Sequence, residues 1–115
     1  FEYASYGTGK FVIGKPTRGD FQEASRAFEH AKEAIMKGKY EIVVLDEITH
    51  AVNLGLIDVN EVIELIRNKP SMVEIVLTGR AADRRLIDVA DLVTEMREVK
   101  HPFSHGVQAR EGIEF

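Results

Sequence analysis

Glu41-Ile42-Val43-Val44-Leu45-Asp46-Glu47 is the stretch whose reading decides the fold. Its middle is short, β-branched and apolar throughout, the signature of a strand buried on both faces of a parallel sheet. Met72 to Leu77 repeats that signature, and Leu92 to Val99 reads as a third strand. Helical patterns lie between and before these runs. Asp58 with Glu61 opens a helix carrying Val59, Val62, Ile63, Leu65 and Ile66, closed before Pro70. Upstream, Asp20 followed three residues later by Glu23 has the form of a capping box. From there Phe21, Ala24, Ala27, Phe28, Ala31, Ala34 and Ile35 recur at helical spacing toward a stop at Gly38. Leu86 to Ala90 reads as a short helix. At the ends, Phe1 to Tyr6 reads as a short strand, Gly7 to Gly19 as a glycine-rich loop, and Lys100 to Phe115 as an irregular tail. Strand and helix alternate, so the fold class is α/β: a mostly parallel sheet in three layers, joined by right-handed crossovers. With no internal repeat, low-complexity tract or linker, residues 1–115 form one domain.

Composition narrows the function classes. In 115 residues, 44% are hydrophobic and 30% charged, the balance of a single globular domain. A chain this short buries a modest core, which makes oligomerisation plausible. Cysteine is absent, which removes disulfides, Cys-ligated zinc and thiol nucleophiles, and a cytoplasmic location is the default. No apolar run approaches the ~20 residues that span a bilayer, so no membrane partner is expected. A formal charge of −4 lacks the broad basic surface of a nucleic-acid binder, although Arg84-Arg85 is cation enough for one phosphate group. The chain begins at Phe1 rather than Met, and the expectation is a fragment, a processed form or the ordered part of something longer.

In an open parallel sheet, ligands sit beyond the carboxyl ends of the strands, and two such ends are informative. Asp46-Glu47 leaves the first strand as a Walker B-like pair, placed to hold hydrated Mg²⁺ beside a nucleotide's phosphates. The competing reading is a pair of solvated acids capping the next helix. Thr78-Gly79-Arg80 leaves the second strand with a hydroxyl, a glycine and a guanidinium whose planar donors suit phosphate. There the competing reading is a tight turn with a solvated arginine. Lys100-His101-Pro102-Phe103 and His105 gather titratable groups in the tail, but Pro102 argues against a helix that would align the histidines on zinc, and surface or packing histidines are the favoured reading. His30 and His50 have no evident ligand set. No Gly-x-Ser-x-Gly elbow and no nucleophile paired with a base is present, so no catalytic side chain is assigned. Neither Gly7-Thr8-Gly9-Lys10 nor Gly14-Lys15-Pro16-Thr17 fits the phosphate-loop pattern G-x-x-x-x-G-K-[ST].

These motifs, in this order, resemble one family. IVVLDE (42–47), LTGR (77–80), ADLVTEMR (90–97), KHPF (100–103) and GIEF (112–115) resemble, in order and spacing, the ATP:corrinoid adenosyltransferases of the P-loop type. The likeness covers nearly everything from Ala24 to Phe115, and it favours the functional reading of Asp46-Glu47. It implies a three-layer P-loop NTPase fold of the RecA-like kind, with the N-terminal strand and the phosphate loop missing from this chain. It also implies an enzyme in which Co(I) of the corrinoid attacks the 5′ carbon of ATP, giving adenosylcobalamin and triphosphate.

On that resemblance, Glu47 is the foremost Mg²⁺ ligand, with Asp46 a direct or water-mediated helper. Thr78 and Arg80 are the nucleotide contacts. The family's Gly-Phe-Thr-Trp segment packs aromatics under the corrinoid, and of it only Phe11 carries across to Phe11-Val12-Ile13. Where the family's tail reads Gly-Val-Lys-Ala-Gln, this chain has Gly106-Val107-Gln108-Ala109-Arg110. ATP, Mg²⁺ and a corrinoid are the implied cofactor and substrates, and a homodimer served by a Co(II)-reducing flavoprotein the implied assembly. Because the main phosphate-binding element is missing, the 115 residues alone are expected to be inactive or nearly so. The rival reading is a non-catalytic homologue without a P-loop that binds a corrinoid or a protein partner.

Overall fold

The computed structural model describes residues 15–100. In chain order these form helix α1 (Arg18–Met36), strand β1 (Ile42–Leu45), helix α2 (Ile48–Asn53), helix α3 (Val59–Asn68), strand β2 (Glu74–Leu77) and helix α4 (Arg84–Val89). The strands pair in parallel, Ile42 with Glu74 through Leu45 with Leu77, so the chain from Leu45 through α2 and α3 is the crossover between them. The α/β class and the parallel pairing agree with the sequence.

Helix α1 starts earlier than the Asp20/Glu23 pattern predicts. Its N-cap is Thr17, whose hydroxyl accepts from the Asp20 amide at 3.3 Å while the Asp20 carboxylate accepts from the Thr17 amide at 2.8 Å. The capping box is real but lies one turn upstream, because Thr17 also satisfies the spacing and follows Pro16, which cannot donate to a preceding turn. The helix ends as expected before Gly38, which takes a left-handed φ of 65°. Asp58 caps α3 as predicted, accepting from the Asn60 amide at 2.9 Å.

The core is built where helical periodicity points inward. Phe28 and Ile35 of α1 meet Val59, Val62, Ile63 and Leu65 of α3, with Ile48, Ile57, Val73 and Leu86 completing the cluster. Burying each of these aliphatic side chains contributes roughly 1.5–3 kcal/mol relative to exposure. Val43, Leu45, Ile75 and Leu77 bring one face of the sheet onto that cluster.

Two expectations about the sheet are corrected. The strands are not covered on both faces among the described residues: Ile42, Val44 and Val76 remain 61%, 56% and 43% exposed, so burial alternates along each strand. Leu92 to Val99 forms no strand, and Leu92, Met96 and Val99 are more than four-fifths exposed. Apolar, β-branched composition provides the propensity for a strand, but a strand exists only against a partner, and this segment pairs with neither β1 nor β2. No helix among the described residues is long and apolar enough to cross a membrane.

Candidate functional site

The register of the two strands places Asp46 and Thr78 next to each other just past their carboxyl ends. The Thr78 hydroxyl donates to an Asp46 carboxylate oxygen at 2.7 Å and accepts from the Glu47 amide at 3.0 Å. Two motifs separated by about thirty residues of sequence thus become one polar corner. Glu47 occupies the N-cap position of α2 with a left-handed φ of 60°, an uncommon conformation for a non-glycine residue. Its carboxylate makes no capping bond and is exposed, as is Asp46. The alternative in which these acids serve only to cap the next helix is therefore not what the side chains do.

Behind this corner, α2 grips the chain leaving β2. The Thr49 hydroxyl donates to the Arg80 carbonyl at 3.1 Å, and the Asn53 amide donates to the Ala81 carbonyl at 2.9 Å. Thr49 is 4% exposed, the one buried polar residue among those described. Gly79 makes the approach possible. Its φ of 144° favours glycine, and a Cβ at that point would overlap the Thr49 hydroxyl. Ala81 follows with a positive φ of 49°. Gly79 is thus more than a turn residue: it lets β2's exit pack directly on α2.

The cations nearby differ in their freedom. Arg84 is held by Asp88 at 3.2 Å, and Arg85 by Asp83 at 2.8 Å. The Arg85 guanidinium and amide, both bonded to the Asp83 carboxylate, lower that carboxyl to about 2, and the Asp83 carboxylate in turn pushes the Arg85 guanidinium up. These two arginines, which the sequence offered as a phosphate contact, are committed to α4's own carboxylates. Arg80 is exposed, and its guanidinium has no partner among the described residues.

A bound Mg²⁺ is a matter of donor chemistry. The Asp46 carboxylate and the Thr78 hydroxyl are in contact at the strand ends, with Glu47 the next residue along the chain; all three carry hard oxygen donors, and Mg²⁺ commonly takes only one or two carboxylates from protein and the rest from water and phosphate. No three of the His, Asp and Glu side chains converge as a complete metal cage among the described residues, and His30 and His50 join no such group. The residues fit Mg²⁺ in the role of a partial shell. Phe11, expected under the corrinoid, lies outside the described residues, as do His101, Phe103 and His105. Thr49 and Asn53 escaped the sequence reading, and Gly79 was the signal that some side chain passes close to the loop.

Comparison with known proteins follows the same direction. The family model described as ATP:corrinoid adenosyltransferase BtuR/CobO/CobP matches residues 1–115. A corrinoid adenosyltransferase from Sinorhizobium sp is 48% identical over 97 residues, covering 84% of this chain and 45% of the relative. Corrinoid adenosyltransferase CobA of Salmonella typhimurium is 36% identical over 114 residues, 99% of this chain and 58% of that protein. The Escherichia coli K12 corrinoid adenosyltransferase is 32% identical over the same length and coverage. The chain spans about half the length of these curated relatives.

Proposed function

The chain belongs to the ATP:corrinoid adenosyltransferase family, and on that premise we propose that the whole protein transfers the 5′-deoxyadenosyl group of ATP to Co(I) of a corrinoid. The observation that carries the proposal is the corner in which the Thr78 hydroxyl joins Asp46 to Glu47 at the carboxyl edge of a parallel sheet. That is where open α/β sheets bind nucleotides.

The reaction forms a cobalt–carbon bond from the electron pair of Co(I), the reduced substrate, and breaks the C5′–oxygen bond of ATP, whose electrons leave on triphosphate. The corrinoid is the nucleophile, so the protein needs no side chain of that kind. Its task is to bind, orient and accommodate the charge gathering on the leaving group. Asp46 and Glu47 would hold Mg²⁺, which supplies positive charge against the triphosphate. Thr78 orients Asp46 through its donated hydrogen bond and contacts the nucleotide. Arg80, whose guanidinium has no partner among the described residues, meets triphosphate oxygens with its planar donors.

The exposed face at Ile42, Val44 and Val76 and the unpaired Leu92–Val99 segment support a larger, three-layer sheet of the RecA-like P-loop kind in the whole protein. There a phosphate loop, absent from these 115 residues, would cradle the triphosphate. The same reading assigns a cytoplasmic homodimer that receives reduced corrinoid from a Co(II)-reducing flavoprotein.

The test compares Glu47→Gln with Asp58→Asn in the whole protein. Glu47→Gln removes a metal-binding charge and is expected to lower turnover by about a hundredfold or more, whereas Asp58→Asn keeps a competent helix cap and leaves turnover within about twofold. Equal small effects would remove the metal assignment.

A further inference from the structure

The strongest unassigned feature is the clamp between α2 and the chain leaving β2. Arg80 sits between two residues of positive φ, Gly79 at 144° and Ala81 at 49°. Residues in such conformations persist only where the surroundings hold them. Here the holding groups are on α2: the Thr49 amide donates to the Thr78 carbonyl at 3.4 Å, the Thr49 hydroxyl to the Arg80 carbonyl, and the Asn53 amide to the Ala81 carbonyl. The backbone of Arg80 is thereby tied on both sides, while its guanidinium points to no partner among the described residues. Neighbouring Arg84 and Arg85 show the opposite arrangement, with their guanidinium groups spent on Asp88 and Asp83.

Glu47 is also the N-cap of α2, so one short element has the Asp46-Glu47 corner at its start and the clamp residues Thr49 and Asn53 within it. A displacement of the loop would move Arg80 relative to Asp46 and Glu47, and small misplacements of a charged contact are costly in reactions that depend on orientation.

We propose that Thr49 and Asn53 are positioning residues, which fix Arg80 against the Asp46-Glu47 corner so that its guanidinium meets the triphosphate of ATP. The proposal rests on the reading of Arg80 as the triphosphate contact and extends it to two side chains that touch no substrate.

The test is a mutant cycle on the whole protein, read by calorimetric titration with MgATP. Thr49→Val keeps the shape of the side chain and removes its hydroxyl. It is expected to weaken MgATP about tenfold, Thr49→Ser to stay within about twofold of wild type, and Asn53→Ala to lose about threefold. In an Arg80→Ala background, Thr49→Val is expected to cost less than about twofold more, because the group it positions is gone. A merely structural threonine would give the same loss in both backgrounds. Should Thr49→Val fail to fold, Asn53→Ala alone and with Arg80→Ala completes the same cycle, since Asn53 is exposed. Losses that add in full, wild-type affinity in both Thr49→Val and Asn53→Ala, or no MgATP binding by the wild type would overturn the clamp. Adenosyl transfer by the wild type is followed alongside: its absence despite tight MgATP binding would sink the reaction assignment, while the cycle still decides the clamp.

Discussion

Gly79→Ala tests the packing of the site on its own terms. At a φ of 144° an alanine is strained regardless of space, and here its Cβ would also overlap the Thr49 hydroxyl. Backbone strain in such a region costs about 1–3 kcal/mol. Turning Thr49 aside breaks its bond to the Arg80 carbonyl, a further loss of about 1 kcal/mol. The sum is about 2–4 kcal/mol, a large share of a marginal domain's stability. At this size it corresponds to a fall in Tm of about 8 °C or more. Gly55→Ala is the internal control. Gly55 has a φ of 74° with nothing within 4 Å of an added Cβ, so only the strain of about 1 kcal/mol remains. Thermal and urea unfolding of the two variants measure the difference. Adding Thr49→Ala to Gly79→Ala should cost little more, because the bond from the Thr49 hydroxyl is already broken, making the pair less than additive by roughly 1 kcal/mol. If Gly79→Ala were no more harmful than Gly55→Ala, or the double variant fully additive, the close approach of the loop to α2 would be refuted.

Two further outcomes concern the scaffold. Ile35→Ala, at a position with no exposure, is expected to lower stability by about 2–5 kcal/mol in urea unfolding, while Met36→Ala, half exposed on the next residue, stays within about 0.5 kcal/mol. Asp83 has its carboxyl lowered from 3.8 to about 2 by the Arg85 hydrogen bonds, so its contribution is complete above the ordinary carboxylate value and is lost as pH falls through about 2. Asp83→Asn should therefore differ most from wild type near neutral pH, and the gap in urea midpoint should narrow as pH is brought down to about 2; a constant gap would show that the Arg85 pairing does not couple to folding.

Much of this arrangement was legible in the residues because its causes are local. Ile42 to Leu45 and Glu74 to Leu77 announce themselves as strands, and each ends in polar groups at a place where parallel sheets bind ligands. Joining them needed only the register, which sets Leu45 beside Leu77 and so Asp46 near Thr78. Features that depend on distant partners were not legible. The six-residue α2 has no side-chain cap and begins at a left-handed Glu47, so no periodicity marks it. The bonds from Thr49 and Asn53 to Arg80 and Ala81 span about thirty positions and exist because Gly79 lacks a side chain. Leu92 to Val99 shows the reverse failure: strand composition without a strand to pair with.

The most direct measurement of the central claim is to mix the whole protein with MgATP and cob(I)alamin, generated by a chemical reductant, and to follow both products together. Adenosylcobalamin, recognised by its light-sensitive cobalt–carbon bond and visible spectrum, is expected to appear with one intact triphosphate for each corrinoid adenosylated. Release of ADP and phosphate with the corrinoid unchanged would contradict the claim.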